Sequence, residues 1–240
     1  MKIVISQPMF FPWVGLLEQI VLADRFVHYA DVQFARRSFT NRVQIKTQHG
    51  SLWLTVPLEK SDRSARIDQI QTVHSDWRER HLRTLSQAYA KAPCVREMLA
   101  LVESVYAQPQ PHLGALSLAS MQAVCRYFDI ALQDKLYDSA ELDVGGHKHD
   151  RILGLVQHLQ GTTYITGQGA LNYLAHDEFE RHGIAVEYMD YAKLPYPQLH
   201  GDFDPFVSSL DLIANHGRAG KQFLRPQTVN WRDMSSRKST

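Results

Sequence analysis

The sequence predicts an α/β fold, a mainly parallel Rossmann-like sheet with a helical block inserted over about residues 76–160. Three features predict it. The chain opens with an apolar strand, a proline-broken loop, an amphipathic helix and a second strand. Its middle carries apolar residues at helical spacing. Its last third returns to two short strand-like runs on either side of a Gly-x-Gly turn.

Lys2–Ser6 (KIVIS) is a near-continuous apolar run, the pattern of a strand buried on both faces. Gln7, Pro8 and Pro12 end it, and Trp13, Leu16, Leu17 and Ile20 then follow the i, i+3, i+4, i+7 stripe of a helix. Arg25–Tyr29 (RFVHY) reads as the next strand, and a parallel pair with a right-handed crossover is the simplest arrangement of the two. Val43, Ile45 and Thr47 alternate with polar residues, Ser51–Leu58 is rich in β-formers, and His49–Gly50 between them predicts a tight hairpin. A short strand at Ile67–Val73 joins them. Helices follow from about Asp76, over Val95–Tyr106, through Leu113–Tyr127 and through Ile152–Leu159, the last with Gly161 as its stop. Thr162–Thr166 and Ala185–Asp190 are the closing strands, and a last helix covers Phe206–Asn215 and ends at Gly217.

The 240 residues suit one α/β domain over 1–231, followed by a polar, mobile tail at 232–240. Lys plus Arg is 26 against 25 for Asp plus Glu, which argues against bulk nucleic-acid binding. Cys94 and Cys125 have no Cys-x-x-Cys spacing and are expected as free thiols in a reducing cytosol. The apolar run at the start is too short for a signal peptide, and no stretch approaches the ~20 apolar residues that span a bilayer. The expected location is therefore the cytoplasm, without membrane insertion.

Four segments, in this order and spacing, resemble the WbqC-like family of bacterial proteins. They are Gln7-Pro8-Met9-Phe10-Phe11-Pro12-Trp13-Val14-Gly15; Asp31 to Arg42 with Trp53 to Pro57; Tyr164 to Ala170; and Tyr196-Pro197-Gln198 with Phe203, Ser208-Ser209-Leu210-Asp211 and Asn215-His216-Gly217. The similarity covers roughly residues 2–217. It implies a place in surface-polysaccharide (O-antigen) biosynthesis, because members occur in such gene clusters. It also implies a glycine- or amino-acid-transferring activity on an amino sugar.

Candidate site residues fall in the same segments. A strand feeding a loop and a helix start makes Gln7, Trp13 and Gly15 a seat for a phosphate or carboxylate; the alternative is that this loop packs the strand end. The arrangement is nucleotidyltransferase-like, but Trp13-Val14-Gly15-Leu16 stands where the His-x-Gly-His adenylation motif of those folds would fall. Arg36, Arg37, Arg42 and Lys46 match anionic oxygens, and Asp31, Gln33 and Asn41 match sugar hydroxyls, with Phe34 and Phe39 as stacking surfaces; a solvated charged hairpin is the alternative. Tyr164 and Gly167 precede a helical stretch, where glycine permits close approach to a ligand. Lys148, near Arg151, is a candidate catalytic residue. His147 and His149 have no convincing third ligand, so no metal is expected. Asp211 and Asn215 share a helix face, and Asp211 is a candidate general base or orienting group, with Tyr196, Gln198 and Ser209 as substrate contacts.

These residues predict a cleft joining 7–15, 31–46 and 208–215. The expected ligands are small molecules, a nucleotide-linked amino sugar and an acyl or aminoacyl donor, with no resident cofactor specified beyond a nucleotide. An amide-forming transferase, a nucleotide-dependent ligase or nucleotidyltransferase relative, and a non-catalytic sugar-binding or scaffold protein are the three readings that this pattern admits.

Overall fold

The computed structural model describes residues 1–238. A six-stranded sheet forms its middle layer. Its strands are β1 (Lys2–Ser6), β2 (Arg25–His28), β5 (Leu136–Asp138), β6 (Thr163–Thr166), β7 (Ala185–Met189) and β8 (Thr228–Asn230), in the order β5-β2-β1-β6-β7-β8. All pairs are parallel except β7–β8. Chain order runs outward from β1 through β2 to β5, then restarts beside β1 with β6 and β7. The strand order therefore reverses between β1 and β6, which makes that gap the topological switch point.

Helices cover both faces. On one side lie α1 (Val14–Leu22), α2 (Trp77–Ala88), α3 (Val95–Tyr106), α4 (Leu113–Tyr127) and α7 (Ser209–His216), packed on Val4, Phe26 and Ile165 of the sheet. On the other side α5 (Lys148–His158), α6 (His176–Arg181) and α8 (Trp231–Lys238) pack on Ile3, Ile5, Val27 and Tyr164. Neighbouring residues of β1 thus enter opposite cores, and both faces are dry, which is why its sequence is apolar throughout. A separate two-stranded hairpin, β3 (Arg42–Thr47) with β4 (Gly50–Thr55), turns at Gly50 with φ 101° and seats Val43, Ile45 and Leu54 in the first core.

Several expectations are revised. Ile67–Val73 is not a strand: it holds a single 3-10 turn, Ile67–Gln69, and an isolated bridge from Leu58 to Thr72. The helical block is interrupted by β5, which pairs with β2. Residues 232–238, expected as part of a mobile tail, belong to the helix α8. Trp231 and Met234 pack on the second core, and Arg232 forms a two-pronged pair with Glu180. Residues 239–240 lie outside the described residues. The last long helix starts at Ser209 rather than Phe206, because the Ser208 side chain caps Leu210 N–H. Both cysteines are free, with Cys125 buried and Cys94 half-buried.

One buried carboxyl sets a pH dependence. Glu18 on α1 is 1% exposed; its Oε1 accepts the Arg225 N–H at 2.6 Å and its Oε2 has no partner. Burial pushes its pKa up from 4.5 to about 7. The folded state therefore keeps a proton that the unfolded chain releases. Stability from this group is complete below about pH 4.5 and falls progressively as pH rises to about 7, by on the order of 3 kcal/mol. Glu18→Gln keeps the acceptor for Arg225 without the titration. Urea denaturation should show this variant more stable than wild type at pH 8 and level with it near pH 4.5; parallel pH curves for the two proteins would refute the assignment.

Candidate functional site at the switch point

Ligands of open α/β sheets bind outside the carboxyl ends of the strands, where the order reverses. Here that place is a cleft of about 390 Å³ over the ends of β1 and β6. Ser6 and Gln7 continue β1 into it, Thr166 and Gly167 continue β6, and Tyr29 follows β2. Tyr164 forms part of the floor, stacked on Phe179, with its hydroxyl donating to Thr166 Oγ1 at 3.3 Å. Gln19 reaches in from α1, with its Nε2 on Met189 Sδ at 3.5 Å. Tyr173 stands at the rim, 61% exposed.

The lining holds no Asp, Glu, His, Lys or Arg. It offers hydroxyls and carboxamides, which both donate and accept, and aromatic walls. Burial holds the phenols of Tyr164 and Tyr29 above their ordinary pKa, so both stay protonated; for Tyr29 the neighbouring Arg151 guanidinium only partly opposes this. Charge lies just behind the wall. The Arg151 guanidinium lies 5.1 Å from the Tyr29 ring centroid and pairs with Asp31, which also accepts from Ser139 Oγ. Burial alone would raise the Asp31 pKa, but the Arg151 and Ser139 hydrogen bonds outweigh it and hold the carboxyl below its ordinary value. In the neighbouring strand ends His28 Nδ1 meets Asp138 Oδ2 at 3.2 Å, and this bond holds the Asp138 carboxyl low.

A model of the WbqC-like protein family matches residues 7–223. The chain belongs to this family. It is 32% identical over 227 residues to the uncharacterized protein Rv1507c of Mycobacterium tuberculosis, an alignment covering 93% of this chain and 97% of that one. No solved structure matches it.

This WbqC-like fold brings the three sequence segments together, but as packed interior rather than as a cleft. Phe10 N–H donates to Phe39 O, Ser208 N–H to Gln44 O, and Ser209 N–H to Pro12 O. The start of α1 is closed to ligands: Val14, Leu16 and Leu17 are buried, and Trp13 lies over Gly15, wedged against Tyr191 and Phe206. Gly15 is there to admit that indole. Of the opening loop only Ser6, Gln7 and Met9 line the cleft.

The residues expected near the last helix are also internal. Asp211 is 0% exposed; it accepts from Tyr89 and Tyr196 hydroxyls, each at 3.0 Å, and from Asn215 Nδ2 at 3.2 Å. Its pKa is raised by burial, against these hydrogen bonds. Lys46 is buried with its Nζ on Gln198 Oε1 and on the carbonyls of Gly201 and Asp202. Ser209 is 0% exposed. Asp211, expected as a general base or orienting group, is therefore saturated by protein donors and has no exposed surface. Lys148 begins α5 and is exposed; it is not among the residues that line the cleft, although Ile152 one turn later is. The expected contacts Gln33, Arg36, Arg37 and Asn41 line a different groove, and Arg42 lies over Trp53. Tyr164, Gly167 and Gln7 remain in the cleft. Gln19, Tyr29, Thr166 and Tyr173 also line it and stand in no motif of the sequence, although the carboxyl ends of parallel strands mark two of these four places, Tyr29 after β2 and Thr166 at the end of β6.

His149, Asp150 and Glu178 lie close enough to share an ion, but they are a surface cluster around a salt bridge.

Two substitutions test the structural assignments. Gly15→Ala gains about 1 kcal/mol of helix propensity, but its Cβ would fall 2.4 Å from the Trp13 ring. Overpacking costs about 1–3 kcal/mol, so the net effect should be a loss of about 1 kcal/mol in urea. Asp211→Ala leaves two buried phenols without their acceptor, and at roughly 1–3 kcal/mol for each should cost on the order of 3–5 kcal/mol. An Asp211→Asn variant that folds normally and loses all turnover would restore a catalytic role.

Proposed function

We propose that this WbqC-like protein is a transferase of surface-polysaccharide (O-antigen) biosynthesis, acting in the cytoplasm. In this reading it moves an aminoacyl (glycyl-like) or acyl group onto the amine of a nucleotide-linked amino sugar, forming an amide. The observation that carries the reading is the composition of the switch-point cleft. Neutral hydroxyls and carboxamides with aromatic walls suit a sugar, whose ring presents hydroxyls at its edge and C–H groups on its faces. The family's gene context supports the pathway.

Amide formation joins the sugar nitrogen to the donor's carbonyl carbon. The carbonyl oxygen gains negative charge, and its collapse expels the leaving group, which departs with its bonding pair while the amine's proton passes to water or to that group. Protonated phenols are suited to this oxygen, because a fixed O–H donor stabilises developing charge without reorganisation. With no titratable base in the lining, the cleft acts by holding the two reactants in register and excluding water. The donor must then arrive already activated, as an acyl phosphate, thioester or similar ester.

The decisive experiment supplies an amino-sugar nucleotide with a panel of activated glycine and other acyl donors and follows the mass of the sugar nucleotide. A gain corresponding to one acyl group is expected. Tyr29→Phe and Thr166→Val should lower kcat/KM, on the order of 10²-fold where the lost hydroxyl contacts the oxyanion, with little change in stability. Thermal stabilisation by the sugar nucleotide without product from any donor would establish a binding protein instead and sink the transferase reading.

A further inference from the structure

The segment Arg36–Arg42 carries three arginines and no acid, in a chain whose charges are otherwise nearly balanced. Among the described residues Arg36, Arg37 and Arg42 make no ion pair, whereas Arg66, Arg80, Arg151 and Arg232 all do. Arg36 and Arg37 are exposed and line a groove of about 650 Å³. They are not on a slack loop. Phe34 N–H donates to Ala65 O, Ser38 N–H to Ala35 O, and Phe39 O accepts from Phe10 N–H, while Arg37 itself is held at φ 62°.

Beside this turn the β3–β4 hairpin exposes an aromatic pair. Phe39 is 43% exposed and Trp53 37%, with ring centroids 5.6 Å apart. The Arg42 guanidinium lies 4.1 Å over the Trp53 ring, and its Nε has no hydrogen-bond partner. Register explains the pairing: Arg42 faces Thr55 and Gln44 faces Trp53, so Arg42 and Trp53 are diagonal neighbours on one face of the hairpin. A smaller hollow of about 180 Å³ is lined by Ser38 and Phe39 on one side and by Ser6, Gln7 and Met9 on the other. Those last three residues also line the cleft. The hollow therefore joins the cleft at Ser6, Gln7 and Met9 and reaches Phe39, which packs on Trp53, while Arg36 and Arg37 lie three and two residues before Phe39 in the chain.

We infer that this track is the subsite for a nucleoside diphosphate, its diphosphate on Arg36 and Arg37 and its base against the Phe39–Trp53 pair. The chemistry matches on both counts: guanidinium forks take phosphate oxygens bidentately, and an aromatic face takes a base of any identity. The inference rests on the proposed function for one point, that the sugar carried by the diphosphate lies in the cleft. The arginine–aromatic track itself stands on its own geometry. A patch of this composition also suits an anionic membrane surface, and the diphosphate is favoured because the track ends in a cleft sized for a small molecule.

Calorimetric titration with uridine diphosphate and with inorganic pyrophosphate tests it, using wild type, Arg36→Gln/Arg37→Gln, Trp53→Ala and Thr166→Val. All these side chains except Thr166 are exposed, and thermal melting confirms folding of each variant. Wild type should bind uridine diphosphate more tightly than pyrophosphate. The double arginine variant should weaken both by about tenfold or more, Trp53→Ala should abolish the preference for uridine diphosphate, and Thr166→Val should change neither. Equal affinities for the two probes in wild type, or an unchanged affinity in the arginine variant, overturns the inference. So does binding to phosphatidylglycerol vesicles, lost in Trp53→Ala, without binding of uridine diphosphate. Expected binding in a protein that transfers no acyl group would support the subsite while removing the transferase reading.

Discussion

The connection between β1 and α1 runs through the interior, and buried peptide groups must find partners. Its partners are distant in sequence. Phe10 N–H reaches Phe39 O at 3.0 Å, Phe11 N–H reaches Ser120 Oγ at 2.9 Å, Phe11 O accepts from Ser208 Oγ at 2.8 Å, and Pro12 O accepts from Ser209 N–H at 2.9 Å. These bonds tie the hairpin approach, α4 and α7 to the end of the first strand. Phe11 takes φ 38°, a conformation that non-glycine residues adopt rarely, and it is held there from both peptide groups. Phe10 and Phe11 then fill the space between them, each 1% exposed. Without satisfied bonds along this loop, neither aromatic side chain has a fixed place and the first core loses its roof.

The same constraint decides where a ligand can go. In a doubly wound sheet the helix after the first strand ordinarily begins at the switch point and offers its N–H groups to an anion. Here the long buried loop carries that helix start away from solvent, under Trp13. What remains at the strand ends is Ser6, Gln7 and Met9 with the ends of β2 and β6. Recognition there falls to neutral side chains instead of a helix dipole. In the proposed reading, positive charge for a phosphate comes from the exposed arginines of the turn before the hairpin, which make no ion pair among the described residues.

Much of the fold is legible in the sequence because burial on two faces leaves a continuous apolar run, as in β1, and burial on one helix face leaves a stripe, as in α1 and α4. The hairpin is legible from alternation and Gly50. Elements that pay little of their area into a core leave no such trace: β5 is three residues long and only half-buried, and β8 is equally short at the sheet edge. The tail read as mobile because its residues are polar, yet Trp231 and Met234 are enough to dock a helix. For the site, the segments that carry the family resemblance do converge, and Gln7, Tyr164 and Gly167 do reach the cleft. Asp211, Lys46 and Ser209 are buried outside the cleft lining, and a polar residue that anchors a core and one that meets a substrate look alike in sequence. Tyr29, Gln19 and Thr166 were passed over because they sit singly, in no motif, and only strand order brings them together.

Saturation separates the two kinds of polar residue once the structure is known. Every oxygen of Asp211 accepts from a protein donor, and Lys46 Nζ spends its hydrogens on Gln198 and two backbone carbonyls. Such groups have no capacity left for a ligand, and their burial is tolerable only because of that. The side chains of Gln7, Tyr173, Arg36 and Arg37, by contrast, meet solvent and, among the described residues, make no hydrogen bond or ion pair to the protein. Exposed polar groups with spare capacity are common on any surface, so this alone identifies nothing. Two of them at the switch point and two on a rigid turn, with the Ser38–Phe39 hollow adjoining the cleft, are a more restrictive arrangement. In the proposed reading, recognition belongs to the strand ends and the hairpin, and the Asp211 cluster holds those surfaces in register.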